Sequence, residues 1–365
     1  MRKGLGWRWI NWVSGFCTLI LGTLAGAQEK PEYKPTVFGF MQLEYRLDDS
    51  GNLLVDNTFA ARRVWFGAQG SVNPLINYNF LGAFGSTTFF LNAFVDLRFD
   101  PMATVRAGQW QINFTYEGWQ PSNTLPFITR SNVIQHIAAN YGTEGGPVLR
   151  DIGLALRGAW KSNTPGGYEV GLFNGNGGNK TDNNGDKDLI GRAWITPIRG
   201  LLLGVSGLRG KEGPFGTSAS KRDIIIWGLD LGFEYGALRG RAEYVAAKYK
   251  GTLGVAEERP QGFYFWTGYK VLPSLEPLAR YDALNVNSEV QGQKIDNLTL
   301  GVTYTFKKGT HLMLNYLIRD ADDTLNLTDL RNSEMVPAAL GLTAGPGLSA
   351  RDIGNAFLAQ LQVSL

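Results

Sequence analysis

The C-terminal segment Phe357–Leu365 alternates between two kinds of side chain. One face carries Phe357, Ala359, Leu361, Val363 and Leu365. The other carries Leu358, Gln360, Gln362 and Ser364. Because successive side chains of a strand point to opposite faces, this pattern predicts a β-strand with one apolar and one polar face. Such a strand is typical of the last strand of a closed barrel whose outer surface meets lipid. In lipid, only helices and closed barrels provide hydrogen-bond partners for every backbone N–H and C=O group.

The same two-faced pattern recurs along the chain. In the first example, Met41, Leu43 and Leu47 alternate with Gln42 and Glu44. We count sixteen candidate strands, separated in turn by short connections and by longer polar loops, notably Asn174–Asp188, Lys211–Asp223 and Asp320–Gly354. We therefore predict an all-β fold, a transmembrane antiparallel β-barrel of about 16 strands with short periplasmic turns and long extracellular loops.

The N-terminus predicts export. A basic start is followed by an uncharged apolar stretch from about Ile10 to Leu24 and by the small residues Ala25-Gly26-Ala27. This pattern is typical of a signal peptide, which we place at 1–27, with the barrel domain at 28–365. We expect a location in the outer membrane of a Gram-negative bacterium. Since the single cysteine, Cys17, lies within the signal peptide, the mature chain offers neither a disulfide framework nor a thiolate metal site.

Charge gives no overall hint of a partner. The signal peptide removes three basic residues and no acidic ones from 35 basic and 32 acidic residues, which leaves 32 of each. Any preference for anions must therefore come from the positions of the charges.

Signals for catalysis or metal binding are poor. The two histidines, His136 and His311, have no partner at metal-ligand spacing. The acidic run Asp182–Asp188 fails as a calcium loop, because aligning Gly185 with the loop glycine puts Lys180 first and Gly191 last, where carboxylates are required. We expect no cofactor, no metal and no nucleic-acid partner.

Arginine placement is the more informative signal. By strand parity, nine arginines share the polar face: Arg46, Arg98, Arg106, Arg157, Arg192, Arg239, Arg241, Arg280 and Arg319. Arg62 and Arg63 are adjacent, so we expect only one to face inward unless both lie at the mouth of a strand. Glu44, Asp96, Glu243 and Asp282 share these faces. The arginines can therefore form an anion path or pair with acids to hold the barrel, and both interpretations stay open.

The chain resembles the phosphate-selective porin O and P family. The resemblance rests on segments in family order: Phe59–Gly67, Val95–Arg98, Val105–Gln109, Phe127–Ser131, Arg150–Gly153, Tyr168–Gly175, Gly262–Tyr264, Glu276–Asp282 and Asn297–Gly301. It implies a sixteen-stranded trimeric porin whose third loop, about 111–149, folds into the pore and whose arginine ladder feeds a phosphate site. The family's adjacent arginines correspond to Arg62 and Arg63, its acidic partner to Asp96, and its loop serine to Ser122.

Our hypothesis is an outer-membrane porin for passive diffusion of small hydrophilic solutes, with a preference for anions or phosphate. It is a homotrimer with outer-membrane lipid and small anions as partners. The predicted solute path comprises Arg62, Arg63, Arg46, Asp96, Arg98, Arg106, Ser122, Arg130, Arg157, Arg239, Arg241 and Arg280.

Three alternatives remain open. A weakly selective porin is favoured by the third loop, which has no lysine, one arginine (Arg130) and two glutamates (Glu117 and Glu144). The others are a barrel phospholipase and a non-conducting structural barrel. The third loop could also lie outside the pore.

Overall fold

The computed structural model describes residues 34–49, 57–84, 90–138, 149–215, 220–251, 256–307, 309–323, 325 and 354–365. The predicted signal peptide and most of the predicted loop Asp320–Gly354 lie outside these residues. The chain divides into the unit Met1–Lys34 and the unit Pro35–Leu365. In the ranges given above, no helix combines the length and the apolar character needed to cross a membrane.

The described part of Pro35–Leu365 forms sixteen strands that pair antiparallel in chain order and close into a barrel, because β1 pairs with both β2 and β16. The strands are β1 (Thr36–Asp48), β2 (Asn57–Ser71), β3 (Ile76–Ala83), β4 (Phe90–Asp100), β5 (Ala103–Gln111), β6 (Arg150–Trp160), β7 (Gly166–Phe173), β8 (Asp188–Ile198), β9 (Leu201–Phe215), β10 (Ser220–Tyr235), β11 (Leu238–Tyr249), β12 (Gln261–Tyr269), β13 (Leu275–Asn285), β14 (Lys294–Lys307), β15 (Thr310–Ala321) and β16 (Ala356–Ser364). The predicted closed antiparallel barrel is confirmed.

Each strand separates its two faces as the alternation predicts. On β1, Gln42 and Glu44 are buried, whereas Met41 and Leu43 are exposed. On β16, Gln360 is buried and Leu361 is exposed. Exposed apolar side chains therefore cover the outside of the barrel, and polar side chains point inward, which is the reverse of a soluble sandwich.

Short turns gather at one end of the barrel. The β8–β9 turn ends at Gly200, whose φ of 84° is unfavourable for other residues. A Cβ at Gly200 would also lie 2.2 Å from the carbonyl oxygen of Glu234 on the neighbouring hairpin. Glycine is therefore required there, since the hairpins pack closely at this end.

One predicted loop is wrong. Residues 211–223 do not form a long polar loop, because β9 continues to Phe215 and β10 begins at Ser220. The pairing includes Arg222 opposite Glu212, with a register shift beside it. The Arg222 guanidinium also contacts the Glu212 carboxylate at 2.6 Å. Cross-strand ion pairs stabilise a polar hairpin, so its backbone hydrogen bonds continue beyond the apolar band of the barrel. A search for alternating apolar residues does not detect such a hairpin.

The connection between β5 and β6 differs from the other connections. Its described residues 112–138, hereafter the inner segment, contain helix α1 (Tyr116–Trp119), a 3₁₀ turn (Ser122–Thr124) and a π-helical turn (Ile134–Ala138). Its apolar side chains are buried, among them Phe114, Val133 and Ile137. They belong to one core cluster with barrel residues such as Val245 and Tyr264.

Candidate functional site

The barrel wall caps the backbone N–H groups of the inner segment with inward-facing side chains. Glu243 on β11 accepts hydrogen bonds from Tyr116 N at 2.6 Å and Glu117 N at 3.2 Å. Asp282 on β13 accepts from Asn132 N at 3.1 Å, and the Asn315 Oδ1 on β15 accepts from Ile128 N at 2.9 Å. These side chains satisfy donors that irregular backbone would otherwise leave buried and unpaired.

Other wall side chains bind the carbonyl groups of the inner segment. Arg280 on β13 donates to the carbonyl of Thr129 at 2.8 Å, and Gln42 on β1 donates to the carbonyl of Ser122 at 3.2 Å. Because β1 and β11 lie far apart around a ring of sixteen strands, a segment bonded to the inward faces of both must cross the barrel interior. The inner segment therefore lies inside the barrel.

A β-bulge on β2 turns two adjacent arginines to the same face. Gln42 on β1 pairs with Arg63, and the next residue, Leu43, pairs with Ala61, so Arg62 is the extra residue. The Arg62 guanidinium contacts Glu44 at 2.5 Å, and Arg63 donates to the Gln42 Oε1 at 2.9 Å. The expectation that only one of the two faces inward is wrong, because a bulge shifts the alternation by one residue.

Arg63 belongs to an aromatic–guanidinium cluster that parity did not predict. The guanidinium carbons of Arg63 and Arg150 lie 5.9 and 5.4 Å from the Trp65 ring centre. Arg150 also donates to Asn92 and Gln111. Such stacking holds a guanidinium in place without cancelling its charge. Arg150 was missed because it lies seven residues before Arg157 on β6, so strand parity assigns it to the opposite face. As the first residue of β6, next to the third loop, it nevertheless turns towards Trp65.

Many of the predicted arginines have carboxylate partners. Arg106 forms a two-fold contact with Asp96 at 2.7 and 2.8 Å, and Arg239 a two-fold contact with Glu276 at 2.5 and 2.7 Å. Further pairs join Arg46 to Asp48, Arg319 to Asp48, Arg192 to Asp230, Arg241 to Asp230 and, at 3.6 Å, Arg157 to Glu169. These contacts agree with the interpretation in which the arginines pair with acids to hold the barrel together.

The remaining predicted residues fall into different surroundings. Arg130 donates to the carbonyls of Glu117 and Gln120, so it braces the inner segment itself. Ser122 is buried in the 3₁₀ turn beside Gln42. Arg98, near the short-turn end of β4, is exposed. The predicted residues therefore do not form one continuous cluster.

Burial distinguishes two parts of the polar inner face, which are separated on one side by β6–β8. On β9–β16 and β1, which we name the covered wall, polar side chains such as Glu243, Arg280 and Gln360 are buried. On β2–β5, which we name the open wall, the inward side chains are half-buried or exposed: Arg62, Arg63, Gln69, Asn77, Asn79, Asn92, Asp96, Arg98 and Arg106. Solvent therefore reaches these side chains of the open wall, and beyond the open wall it also reaches Arg157 on β6 and Arg239 on β11.

The open wall is also the more positive in its charged side chains. Its strands carry four arginines, Arg62, Arg63, Arg98 and Arg106, against two carboxylates, Asp96 and Asp100. Counted over these strands alone, the excess is two positive charges, and Glu44 of the neighbouring strand β1 pairs with one of the arginines, Arg62. Its other inward polar groups include the amides of Gln69, Asn77, Asn79 and Asn92, which can donate to or accept from a solute.

The acidic run in the β7–β8 loop pairs with lysines. Asp186 contacts Lys221 at 2.6 Å and Lys211 at 3.3 Å. A hydrogen bond from the Lys187 ammonium, helped by the backbone N–H groups of Asn184 and Gly185, lowers the pKa of Asp182 to about 2. Over the described ranges, no group of three or more His, Cys, Asp and Glu side chains could hold a metal ion.

The two histidines lie in different elements, His311 on β15 and His136 in the inner segment. The Nδ1 of His311 on β15 lies 3.0 Å from the hydroxyl of Thr305 on β14. His136 lies in the π-helical turn of the inner segment and is buried.

A closed barrel of this size, with an irregular segment held across its interior, defines the class of outer-membrane porins. The sequence of residues 37–207 and 214–341 matches the family model described as phosphate-selective porin O and P. Since this match spans more than half of the chain, the protein belongs to that family. A search of curated proteins by sequence gave no match.

Solved porin structures share the fold. In-vitro folded OmpT of Vibrio cholerae is 12% identical, with a TM-score of 0.60, over 93% of this chain and 100% of that chain. OmpF of Salmonella typhi in complex with daunomycin is also 12% identical, with a TM-score of 0.59, over 91% and 98% of the two chains. A trimer form of the Vibrio protein matches at a TM-score of 0.60, with 11% identity over 92% of this chain and 100% of that chain. Family and fold together make this chain an outer-membrane porin channel.

Proposed function

We propose that this porin passes small hydrophilic solutes along the open wall, with a preference for anions that includes phosphate. The observation that carries the proposal is the bulge on β2, which places Arg62 and Arg63 side by side on the inward face. A guanidinium stays charged at every physiological pH and presents donors that match phosphate and carboxylate oxygens. Two of them beside a narrowed passage lower the barrier for anions, as rings of like charge do in other channels.

Three further features support this path. The open wall has an excess of positive charge, its amide side chains offer neutral hydrogen bonds, and the inner segment leaves its side chains half-buried. Arg63 and Arg150 keep fixed positions against Trp65, so their charge is localised at one level of the passage. The inner segment itself adds no formal net charge from its arginine and carboxylate side chains, since it holds one of each, Arg130 and Glu117.

The test is the reversal potential of single channels in a planar bilayer under a potassium chloride gradient, followed by titration with phosphate. We expect the double variant Arg62→Gln/Arg63→Gln to lower the chloride-to-potassium permeability ratio by roughly fivefold, the factor that about 1 kcal/mol gives for charges a few ångströms apart in water. Phosphate should reduce the chloride current of the native channel and affect the variant less.

A matched control removes the same amount of charge elsewhere. The variant Lys161→Gln/Arg199→Gln loses two exposed cations at the short-turn end, so its permeability ratio should stay near the native value. A native channel without anion preference, or a double variant equal to this control, would contradict the proposal.

A second candidate function is a weakly selective porin on the same scaffold. It is favoured by the contacts that pair arginines with carboxylates, because paired charges attract a passing anion less. These arginines are Arg46, Arg62, Arg106, Arg239 and Arg241. The same recordings distinguish the two, since this candidate predicts a permeability ratio near one and no effect of phosphate.

We also propose a homotrimer, following the trimer form of the Vibrio cholerae neighbour. Chemical crosslinking of the purified protein followed by mass measurement should yield a species of three chains. A single chain under the same conditions would contradict this assembly.

A further inference from the structure

The outer face of β9–β11 changes character towards the end opposite the short turns. Nearer the turns it is apolar, with Val205 on β9 and Leu229 on β10 exposed. Further from the short turns, the outward-facing positions include four cations. Arg209 and Lys211 lie on β9, Lys248 lies on β11, and Lys250 follows its last residue. We name these four residues the basic patch.

Strand register holds the basic patch together. Ile225 on β10 pairs with Arg209 on one side and with Lys248 on the other. In the next row, further from the short turns, Asp223 pairs with Lys211. The carbonyl of Asp223 accepts a hydrogen bond from the backbone N–H of Lys250. The four cations therefore occupy two consecutive rows across three adjacent strands, around Ile225 and Asp223.

An aromatic pair marks the level just below the patch. Trp227 on β10 and Tyr244 on β11 have ring centres 5.3 Å apart, on the same outward face. Tryptophan and tyrosine concentrate where the hydrocarbon region meets the polar headgroups. The basic patch, one or two rows beyond them, lies at the level of the headgroups and their phosphates.

The patch is only partly neutralised. Lys250 contacts Asp223 at 2.8 Å, Lys248 contacts Glu257 at 3.4 Å, and Lys211 contacts Asp186 at 3.3 Å. The lysine side chains in these pairs are 40–50% exposed. Each ammonium has three donors, and exposed pairs are weak, so a phosphate can add to these contacts.

The opposite side of the barrel differs at the same end. The outward residues of β2–β4 there are exposed aromatics, namely Phe59, Phe66, Phe80, Phe84 and Phe90. Among the described residues, the cationic outward surface of β9–β11 therefore contrasts with an aromatic one on β2–β4.

We propose that the basic patch binds the phosphate groups of a phosphorylated glycolipid of the lipid A type, in the outer leaflet of the outer membrane. Arg209, Lys211, Lys248 and Lys250 hold the phosphates, and the acyl chains lie against the apolar face below, which includes Ile225 and Trp227. Clusters of lysine and arginine directly beyond a membrane-embedded surface are the usual sites for anionic headgroups. This site lies on the outside of the barrel and is independent of the proposed solute path.

The test is binding of bis-phosphorylated lipid A to the purified full-length protein in detergent, measured by native mass spectrometry. Removing the four charges in Arg209→Gln/Lys211→Gln/Lys248→Gln/Lys250→Gln should weaken binding by up to roughly 600-fold, because each of the four lysine or arginine side chains near an anionic surface contributes roughly fivefold. Dephosphorylated lipid A should bind the native protein as weakly as lipid A binds this variant.

The matched control is Lys161→Gln/Arg199→Gln/Lys270→Gln/Lys307→Gln, which also removes one arginine and three lysines, all exposed and at the short-turn end. It should bind lipid A like the native protein. The exchange variant Arg209→Lys/Lys211→Arg/Lys248→Arg/Lys250→Arg should keep binding, and native single-channel conductance checks the folding of every variant. If the four-fold variant does not fold, Lys248→Gln/Lys250→Gln carries the same comparison. Equal binding of patch variant and control, or of lipid A and its dephosphorylated form, would overturn the proposal.

Discussion

The two inner walls of the barrel use the same kinds of polar residue in opposite ways. On the covered wall, Arg280 is buried and donates to a carbonyl of the inner segment. On the open wall, Arg63 is half-buried and lies over the Trp65 ring. Both are inward-facing arginines by strand alternation. The comparison teaches that facing inward does not make an arginine part of a solute path, because the inner segment converts one wall into a protein core.

This difference has a physical origin in the backbone of the inner segment. An irregular segment inside a barrel cannot bond to its own neighbours as a strand does, so its N–H and C=O groups need partners on the wall. Glu243, Asp282 and Asn315 supply acceptors, and Arg280 and Gln42 supply donors. The covered wall therefore needs charged and amide residues for structure, whereas the inward polar side chains listed for the open wall stay half-buried or exposed.

The largest effect is expected from Arg280→Ala on the covered wall. The substitution removes the hydrogen bond to Thr129 and the contact of 3.2 Å with Asp282, whose carboxylate stays buried. Breaking a buried ion pair by removing one partner typically destabilises a protein by about 3–5 kcal/mol. We expect a lower midpoint of thermal unfolding and a larger single-channel conductance, because the inner segment is released from the wall.

Arg157→Ala is the control for this prediction. Its side chain is 30% exposed and lies 3.6 Å from Glu169, so the change should cost about 1 kcal/mol or less. If Arg280→Ala unfolds and conducts like Arg157→Ala, the inner segment does not depend on the covered wall in the way argued above.

An intermediate effect is expected from two single-residue deletions on the open wall. Deleting Arg62 removes the extra residue of the bulge and restores regular alternation, with Ala61 outward and Arg63 inward. We expect a folded channel whose chloride-to-potassium permeability ratio falls about as far as that of Arg62→Gln. The measurement is the reversal potential under a salt gradient.

Deleting Ala61 is the matched comparison. It also shortens β2 by one residue, but it moves Arg62 into the outward position of Ala61, towards lipid. An arginine on the lipid face costs up to about 2–4 kcal/mol, depending on depth. The Ala61 deletion should therefore assemble less well than the Arg62 deletion. Equal yields of folded trimer or monomer from both deletions would argue against the bulge.

The sequence predicted the barrel well and the site only in part, for identifiable reasons. Alternation of apolar and polar residues sets the two faces of Met41–Leu47 and of Phe357–Leu365, so strands and parity follow from local pattern. A bulge adds one residue without any compositional mark, so the joint inward position of Arg62 and Arg63 was not predictable. The partners of Arg280 lie about 150 positions away in the inner segment, and no local pattern encodes such a contact.

The smallest effect on the permeability ratio is expected from a change of pH. The group concerned lies in the β7–β8 loop, at the end of the open wall. Asn179 of the β7–β8 loop donates to Gln109 on β5 at 2.5 Å and to the Phe90 carbonyl on β4 at 2.9 Å, so this loop rests on the outer end of that wall. In the same loop, the hydrogen bond from Lys187 lowers the pKa of Asp182 from 3.8 to about 2. Because the folded-state pKa is depressed, the contact stabilises the loop above the ordinary pKa and is lost as the pH falls towards 2.

It follows that Asp182 keeps its charge between pH 7 and pH 5, and a guanidinium as such carries its charge throughout that interval. We expect the permeability ratio to be flat over that interval, and Lys187→Gln to move the pKa of Asp182 back towards 3.8 in a carboxyl-carbon NMR titration. The pair lies in a surface loop with Lys187 exposed, so the midpoint of thermal unfolding should barely change. An anion preference that rises steeply between pH 7 and pH 5 would mean that other carboxylates set the charge of the open wall, and its excess of arginines would then not be the origin of selectivity.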